Sequence, residues 1–302
     1  MIRELGIKNL VFDYNEQDKP AGFADSGDTI IFNSYDFVLN KLTDSGVLKS
    51  HIISEGFERQ SVCGNVYING AEPGDTLKVT IEKIEITDKE GTIAIFPPDF
   101  EVLGKYIDKE ETWKIPIEDG YAIFFGGKVK LPIRPMVGAL AVCPAGVVED
   151  TVTPGTYGGN MDCKLLEEGT SIYLPVTVKG ALLNMGDVHA LQGDGEIFSA
   201  LEVPSRITVK VELIKGRQEK WPVLETEDAW YCIASSETMD RANEYAMEAA
   251  AEFLMKRDTG FSKTEVVVLL GVSADLEVCN FVDPRVSARL KIPKILIPNI
   301  SF

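Results

Sequence analysis

The alternation in one stretch, Thr76–Ile86, decides the class of fold. The stretch reads TLKVTIEKIEI. Successive side chains of an extended chain point to opposite faces, so Leu77, Val79 and Ile81 share one face and the polar residues between them share the other. This pattern predicts a half-buried strand in an antiparallel sheet.

Similar short β-rich segments fill most of the first two hundred residues and are separated by Gly, Pro, Asp and Asn. The other predicted strands are 29–33, 92–96, 121–125, 137–142, 171–178 and 206–213. Many strands with turn signals between them are typical of a sandwich or a barrel. We therefore predict a mainly β protein with a β-sandwich or barrel-like body over residues 1–220.

The pattern changes after this body. Ser236 can cap a helix that begins at Glu237, and alanine and aromatic residues then recur at helical spacing up to a stop at Gly260. The apolar run 266–270 is predicted to be a fully buried strand, and the prolines beyond it favour extended chain. Residues 221–302 are expected to form a small α+β unit with one long helix, packed on the body.

Composition and charge restrict the class of partner. Of the 302 residues, 45% are hydrophobic and 25% are charged, which is ordinary for a globular protein. The net charge of -17 would repel a phosphate backbone, so nucleic acid is not expected as a partner. The longest apolar run, 266–272, is far shorter than the ~20 residues of a membrane helix, and the sequence that follows Met1 has no signal-peptide pattern. We expect a soluble, cytoplasmic homo-oligomer that does not contact a membrane.

The cysteines give no sign of a disulfide framework. Five cysteines are scattered along the chain, and no two are spaced as C-x-x-C; they are Cys63, Cys143, Cys163, Cys232 and Cys279. An odd number without a zinc-knuckle spacing is typical of reduced thiols in a cytosolic protein.

A second stretch, residues 157–196, concentrates the groups that can do chemistry. If its closing part is extended, Asp187 and His189 point to one face, with Cα atoms about 6.6 Å apart. A carboxylate and an imidazole at this spacing can share one zinc ion, which in catalytic sites usually has three protein ligands and one open position. The third ligand is Asp162 or Asp194, and Glu196 is then free to carry protons.

Other residues are weaker candidates for binding. The glycines Gly158 and Gly159 allow close approach of a ligand to the backbone, and they are candidate substrate-binding residues together with Asn160. His51 stands beside apolar residues and is a poorer metal ligand than His189. Calcium prefers an all-oxygen set of ligands, so acidic turns are the candidates for a structural calcium site; examples are Asp28 and Asp75.

Four motifs of this sequence resemble those of the acetamidase/formamidase family and occur in the family's order. They are residues 70–77 (GAEPGDTL), 134–138 (RPMVG), 158–162 (GGNMD) and 186–196 (GDVHALQGDGE). The last of them, eleven residues in one block, is highly specific. The sequence departs from the family at Tyr157, because many members have histidine immediately before the Gly-Gly-Asn-Met-Asp motif.

The resemblance implies hydrolysis of a short aliphatic amide, such as acetamide or formamide, to a carboxylate and ammonia. A divalent metal, most simply zinc, would activate the attacking water. We expect Asp162, Asp187 and His189 to hold the metal, and Glu196 or Asp194 to transfer the proton. The product carboxylate is expected to pair with Arg134.

Two other readings of the sequence stay open. In a thiol amidase, Cys163 would attack the amide with help from Lys164 and from Glu167 or Glu168. The acidic local sequence argues against this, because a reactive thiolate needs electropositive surroundings. The other alternative is a β-sandwich module that binds a metal without catalysis. Release of ammonia from small amides separates such a module from an enzyme.

Overall fold

The computed structural model of the protein describes residues 2–56, 60–96, 102–298, 300 and 302. The strands within these residues are β1 (Ile2–Leu5), β2 (Leu10–Val11), β3 (Asp13–Tyr14), β4 (Gly22–Ala24), β5 (Thr29–Ser34), β6 (Val62–Ile68), β7 (Thr76–Ile86), β8 (Glu90–Ile95), β9 (Glu111–Glu118), β10 (Tyr121–Phe124), β11 (Val129–Pro132), β12 (Met136–Ala141), β13 (Glu149–Asp150), β14 (Gly158–Asn160), β15 (Ser171–Pro175), β16 (Leu183–Leu191), β17 (Leu201–Val203), β18 (Ser205–Ile214), β19 (Val223–Glu225), β20 (Ala229–Ser236), β21 (Asp275–Asn280) and β22 (Val286–Pro293). The α-helices are α1 (Lys49–Ser54), α2 (Met239–Met255) and α3 (Lys263–Ser273). No helix in this described part is long and apolar enough to cross a membrane.

Most strands belong to two large sheets. The first sheet has the order β1-β5-β18-β7-β15-β19-β20-β22-β21. The main path of the second sheet is β11-β10-β9-β8-β17-β16-β12-β14; β6 pairs with β16, and β2 and β4 pair with β6. Nearly all pairs are antiparallel, and each strand predicted in the first two hundred residues is found with ends shifted by at most a few residues. The prediction of a mainly β protein is confirmed.

The core lies between the two sheets. Phe32 of β5, Val79 of β7 and Val209 of β18 come from the first sheet, and they are buried together with Val188 of β16 from the second sheet. This burial follows from the strand alternation, because every second apolar side chain points inward.

Helix α2 covers the outer face of the first sheet. In β20, Tyr231 and Ile233 face the main core, whereas Trp230 and Cys232 point the other way and pack with Phe253 of α2. Both faces of β20 are therefore buried, which explains its continuous apolar sequence. The strands after residue 220 continue the first sheet, because β19 pairs with β15.

Helix α2 begins later than predicted. Thr238 is the residue whose side chain caps the helix, accepting a hydrogen bond from the backbone N–H of Arg241. The prediction that Ser236 caps a helix beginning at Glu237 is wrong by two residues. Ser236 is still the last residue of β20, where it pairs with Val286 of β22, so the sheet holds the chain extended up to this point.

The prediction of a buried strand at 266–270 is wrong, because these residues lie in α3. Ser262 and Glu265 form a reciprocal capping box at the start of this helix. The capping box provides hydrogen-bond partners for N–H groups in the first turn of α3. This stabilisation of the helix outweighs the modest preference of valine for strands. Val267 and Val268 are 57% and 58% exposed, so most of this apolar run is not in the core.

The capping box gives a first prediction. We expect Ser262→Ala to lower the free energy of unfolding by about 1 kcal/mol, because the first turn of α3 loses its side-chain acceptor. Urea denaturation measures the change. Thr264→Ala, at an exposed position in the same helix, is the control and should not destabilise, because alanine favours helix. Equal stability of Ser262→Ala and the unmodified protein would contradict the role of the cap.

Candidate functional site

Two neighbouring strands of the second sheet carry the centre of the site. His189 of β16 lies directly opposite Glu202 of β17. The His189 Nε2 atom is 3.0 Å from Glu202 Oε1 and 3.4 Å from Asp187 Oδ2. All three residues are more than nine-tenths buried. Asp187 and His189 thus converge, as the sequence predicts.

Gly138 of β12 leaves the space in which two carboxylates approach each other. A Cβ atom at this position would lie 2.6 Å from both Asp162 Oδ1 and Asp187 Oδ2. Any larger residue would displace these oxygens, so the site depends on the absence of a side chain here. The backbone of Asp187 itself has a φ of 56°, in the left-handed region that a non-glycine residue adopts only at a cost.

Asp162 follows β14 and is fixed by its neighbours. Its Oδ2 atom accepts a hydrogen bond of 2.7 Å from Asn160 Nδ2, which also donates to Asp283 Oδ2 at 3.0 Å. The Asn160 Oδ1 atom accepts from Gln60 Nε2 at 2.8 Å. The remaining oxygen, Asp162 Oδ1, is 3.9 Å from His189 Nδ1. Asn160 therefore holds two carboxylates side by side.

The C-terminal part of the chain closes the site. Asn280, at the end of β21, is fully buried and donates from Nδ2 to the carbonyl oxygens of Asn160 and Met161, at 3.3 Å each. Asp283 follows in the next loop and reaches Asn160. Residues from both sides of residue 220 consequently form one site.

These side chains surround a cavity of about 260 Å³. Its polar side includes Asn160, Asp187, His189, Glu196, Glu202 and Asp283. Its apolar side is formed by Phe37, Ala94, Phe198 and Val282, and Lys49 also lines it. A cavity of this size accommodates a small molecule rather than a polymer.

Burial and mutual repulsion raise the pKa values of Glu196, Glu202 and Asp283. Burial raises the pKa of Glu202 to about 8, although His189 acts in the opposite direction. Burial and the carboxylate of Asp162 raise the pKa values of Glu196 and Asp283 well above the ordinary range. Burial alone would lower the pKa of His189, but its carboxylate neighbours raise it well above 6.5. Without a cation, the cluster therefore tends to hold protons.

The residues present fit a divalent cation. Two groups, Asp162–His189–Glu196 and Asp187–His189–Glu202, each offer ligand atoms within 4.8 Å of one another. In the described part of the chain, Asp162 Oδ1, Glu196 Oε2 and Glu202 Oε2 are buried without a hydrogen-bond partner. Such atoms are costly to bury unless another group binds them. One imidazole with several carboxylates is a donor set suited to zinc and similar ions.

Sequence reasoning missed two of the acids. Glu202 stands between Leu201 and Val203, and an acid inside an apolar strand is a signal that could have identified it. Asp283 has no such signal, because it reaches the site only through the pairing of β21 and β22.

The structure does not bring Asp194 or Arg134 to the cavity. The Asp194 Oδ2 atom is 2.8 Å from Arg289 Nη2 and 2.7 Å from Lys164 Nζ. Although burial acts to raise the pKa of Asp194, these two cations hold it below the usual value. Arg134 is largely exposed and pairs with Glu167.

Two of the predicted substrate-binding residues serve packing. A Cβ atom on Gly158 would lie 2.2 Å from the carbonyl oxygen of Leu140, and one on Gly159 would lie 2.4 Å from that of Thr153. Both have φ values above 90°. They let β14 approach its neighbours closely, whereas Asn160 alone of the three lines the cavity.

Tyr157 and Cys163 are buried and do not line the cavity. The Tyr157 hydroxyl donates to the carbonyl oxygen of Thr153 at 2.6 Å. The Sγ atom of Cys163 is 3.7 Å from Arg289 Nη1. The pKa of the Cys163 thiol is lowered to about 7. A hydrogen bond from Cys279 is the largest cause; burial acts to raise the pKa, and the charge of Arg289 lowers it.

The other proposed ion-binding residues lie elsewhere. His51 is exposed in α1 and belongs to neither candidate metal group in the described chain. Asp75 accepts hydrogen bonds from Lys215 Nζ at 2.5 Å and from the N–H of Gly216 at 2.9 Å. Asp28 accepts from the N–H of Asp25 and lies 3.7 Å from Arg3. These partners are donors, as expected for charged turns.

Comparison with known proteins gives the same family from sequence. Residues 142–298 match the model of the acetamidase/formamidase family. The formamidase of Methylophilus methylotrophus is 34% identical over 167 residues, which are 47% of this chain and 40% of that protein. The acetamidase of Mycolicibacterium smegmatis is 47% identical over 75 residues, 24% of this chain and 18% of that protein. The matches thus span less than half the length of these relatives.

Solved structures are similar over the whole chain. An acetamidase from Bacillus halodurans has a TM-score of 0.93 at 33% identity and covers 99% of this chain and 100% of its own. A predicted acetamidase/formamidase from Thermoanaerobacter tengcongensis has a TM-score of 0.93 at 34% identity, with coverage of 100% and 99%. A γ-lactamase from Delftia acidovorans shares the fold, with a TM-score of 0.64 at 20% identity. The agreement of sequence and structure establishes that the chain belongs to the acetamidase/formamidase family.

Proposed function

We propose that the protein hydrolyses short aliphatic amides, of the formamide and acetamide type, to a carboxylate and ammonia. Family membership supports the reaction class. The small cavity supports a small substrate. The observation that carries the proposal is the set of unpaired, buried carboxylate oxygens of Asp162, Glu196 and Glu202 around His189.

A divalent cation, zinc by preference, would bind in this cluster. The residues that would hold it are His189, through Nε2, Asp187 and Glu202, with Asp162 beside them. When bound, such an ion lowers the pKa of a water molecule to ~7 and polarises an amide carbonyl. The carboxylates of these residues would compensate the positive charge of the cation.

Glu196 is the proposed proton carrier. It lines the cavity and has a buried oxygen without a hydrogen-bond partner in the described chain. A carboxylate in this position can take a proton from the attacking water and deliver it to the departing nitrogen, which leaves poorly without one. Asp194, the other proton carrier predicted from the sequence, forms ion pairs with Arg289 and Lys164.

The other cavity residues orient the substrate. The apolar side, with Phe37 and Phe198, suits the acyl group and limits access of bulk water. Lys49 is the cation among the described lining residues, so we assign it, in place of Arg134, the attraction of the product carboxylate. Asn160 directs both amide hydrogens to carboxylates and therefore positions Asp162 and Asp283.

An ammonia-release assay on formamide and acetamide tests the proposal. We expect turnover that a chelator abolishes and that added zinc restores. Absence of turnover with every small amide, in protein supplied with zinc, manganese or magnesium in turn, would refute amide hydrolysis.

The thiol alternative gives a separate prediction. We expect Cys163→Ala to retain its kcat/KM for acetamide, because the sulfur does not line the cavity. Loss of a catalytic nucleophile would instead lower kcat by a factor on the order of 10⁶. Cys232→Ala, which removes another fully buried thiol, controls for lost packing. Collapse of activity in Cys163→Ala alone would favour the thiol mechanism.

A further inference from the structure

Gln192 reaches His189 because of an irregularity in β16. In a regular strand, Gln192 would point to the face opposite His189. The pairing with β17 changes register here, since His189 pairs with Glu202 and Leu191 pairs with Leu201. One residue of β16, Ala190, is therefore additional, which is the pattern of a β-bulge. The bulge and the end of the strand bring the Gln192 Oε1 atom to 2.7 Å from His189 Nδ1.

The hydrogen bonds of Gln192 require a hydrogen on the Nδ1 atom of His189. The Gln192 Nε2 atom donates to the carbonyl oxygen of Asp162 at 2.6 Å. A carbonyl oxygen only accepts, so the NH₂ group must face Asp162 and the amide oxygen must face His189. The amide oxygen also only accepts, and His189 Nδ1 must therefore be the donor. The other nitrogen, Nε2, faces Asp187 and Glu202.

We propose that Gln192 is a positioning residue that fixes the His189 ring with Nδ1 protonated and presents Nε2 to a divalent cation. The cation part of this inference rests on the proposed function. Gln192 also ties the imidazole to the backbone of Asp162, whose φ of 45° is unfavourable for a non-glycine residue. One side chain thus holds an imidazole and a carboxylate in a common arrangement.

Nitrogen-15 NMR of the imidazoles tests the proposal with the full chain. The protein has two histidines, so His189→Ala assigns the signals. With Zn²⁺ added, we expect Nδ1–H to be the only ring N–H signal of His189 and to exchange slowly, because Gln192 accepts from it. Gln192→Met keeps the length of the side chain and removes both hydrogen bonds. It should lose this signal and bind Zn²⁺ about 10- to 100-fold more weakly, as found for residues that orient metal-binding histidines.

Two further variants separate this role from general packing. Gln192→Glu retains an acceptor for Nδ1–H but loses the donor to Asp162, so it should keep the His189 signal. Gln60→Met makes the same substitution at a different glutamine, which lines the cavity and donates to Asn160. Gln60 does not bond His189 in the described structure, and this variant should leave the Nδ1–H signal unchanged.

Three results would overturn the proposal: absence of the Nδ1–H signal in the unmodified protein, persistence of the signal in Gln192→Met, or unchanged Zn²⁺ affinity in that variant. Failure of amide turnover alone would refute the enzymatic function and leave the positioning role standing. If the unmodified protein binds no Zn²⁺, the presentation of Nε2 to a cation is refuted.

Discussion

His189→Ala is expected to abolish stoichiometric zinc binding and to lower kcat/KM for acetamide by at least about 100-fold. Loss of a residue that merely orients a ligand already costs about 10- to 100-fold, and His189 contributes the imidazole to both candidate metal groups. Elemental analysis of the purified variant measures the metal content, and ammonia release measures the activity.

Tyr157→Phe is the matched control for this experiment. It removes a buried hydroxyl that donates to Thr153 outside the cavity, so it should cost about 1 kcal/mol of stability and leave zinc content unchanged. A thermal melt of both variants shows whether the fold persists. Full zinc content in folded His189→Ala would place the metal site elsewhere.

Gly138→Ala is expected to damage the site through a single methyl group. The added Cβ would lie 2.6 Å from an oxygen of Asp162 and from one of Asp187, and 2.8 Å from the backbone oxygen of Asp187. Because a backbone atom is among these contacts, rotation of the two side chains alone cannot relieve the overlap. We expect zinc affinity to fall at least about 10-fold, with a loss of about 1 to 3 kcal/mol in stability, as for other overpacked positions.

Gly22→Ala provides the control for Gly138→Ala. Gly22 is also a strand glycine, but a Cβ there has no heavy atom within 4 Å, and its φ is not in the left-handed region. Competition with a chromogenic chelator measures zinc affinity, and urea denaturation measures stability. Equal behaviour of the two variants would show that the carboxylates are not confined by Gly138.

The alternation of apolar and polar residues predicted the strands correctly. The prediction was wrong at α3, where a capping box starts a helix. The alternation of Thr76–Ile86 coincides with β7, end for end. The valine-rich run after Glu265 has the composition of a buried strand, yet its capping box starts a helix. Burial cannot be read from composition alone, because it depends on which other elements cover the segment.

The candidate site was predictable in part. The convergence of Asp187 and His189 was predicted from the rule that residues i and i+2 of an extended segment share a face, although the φ of Asp187 is not that of an extended residue. Glu202 and Asp283 join them through pairing across strands that are distant in sequence. The positive φ values of Asp162 and Asp187 were also unpredictable, since surrounding structure imposes them on residues that do not favour them.

The closure of the site by Asn280 and Asp283 bears on how the protein matures during translation. Asp162, Asp187, His189 and Glu202 leave the ribosome well before these two residues do. Until β21 pairs with β22, the carbonyl groups of Asn160 and Met161 lack the Asn280 donor, and Asn160 lacks the Asp283 acceptor. The growing polypeptide therefore contains the candidate ligands before Asn160 has all its hydrogen-bond partners, and the candidate site is complete only after the last strands have folded back onto the sheet.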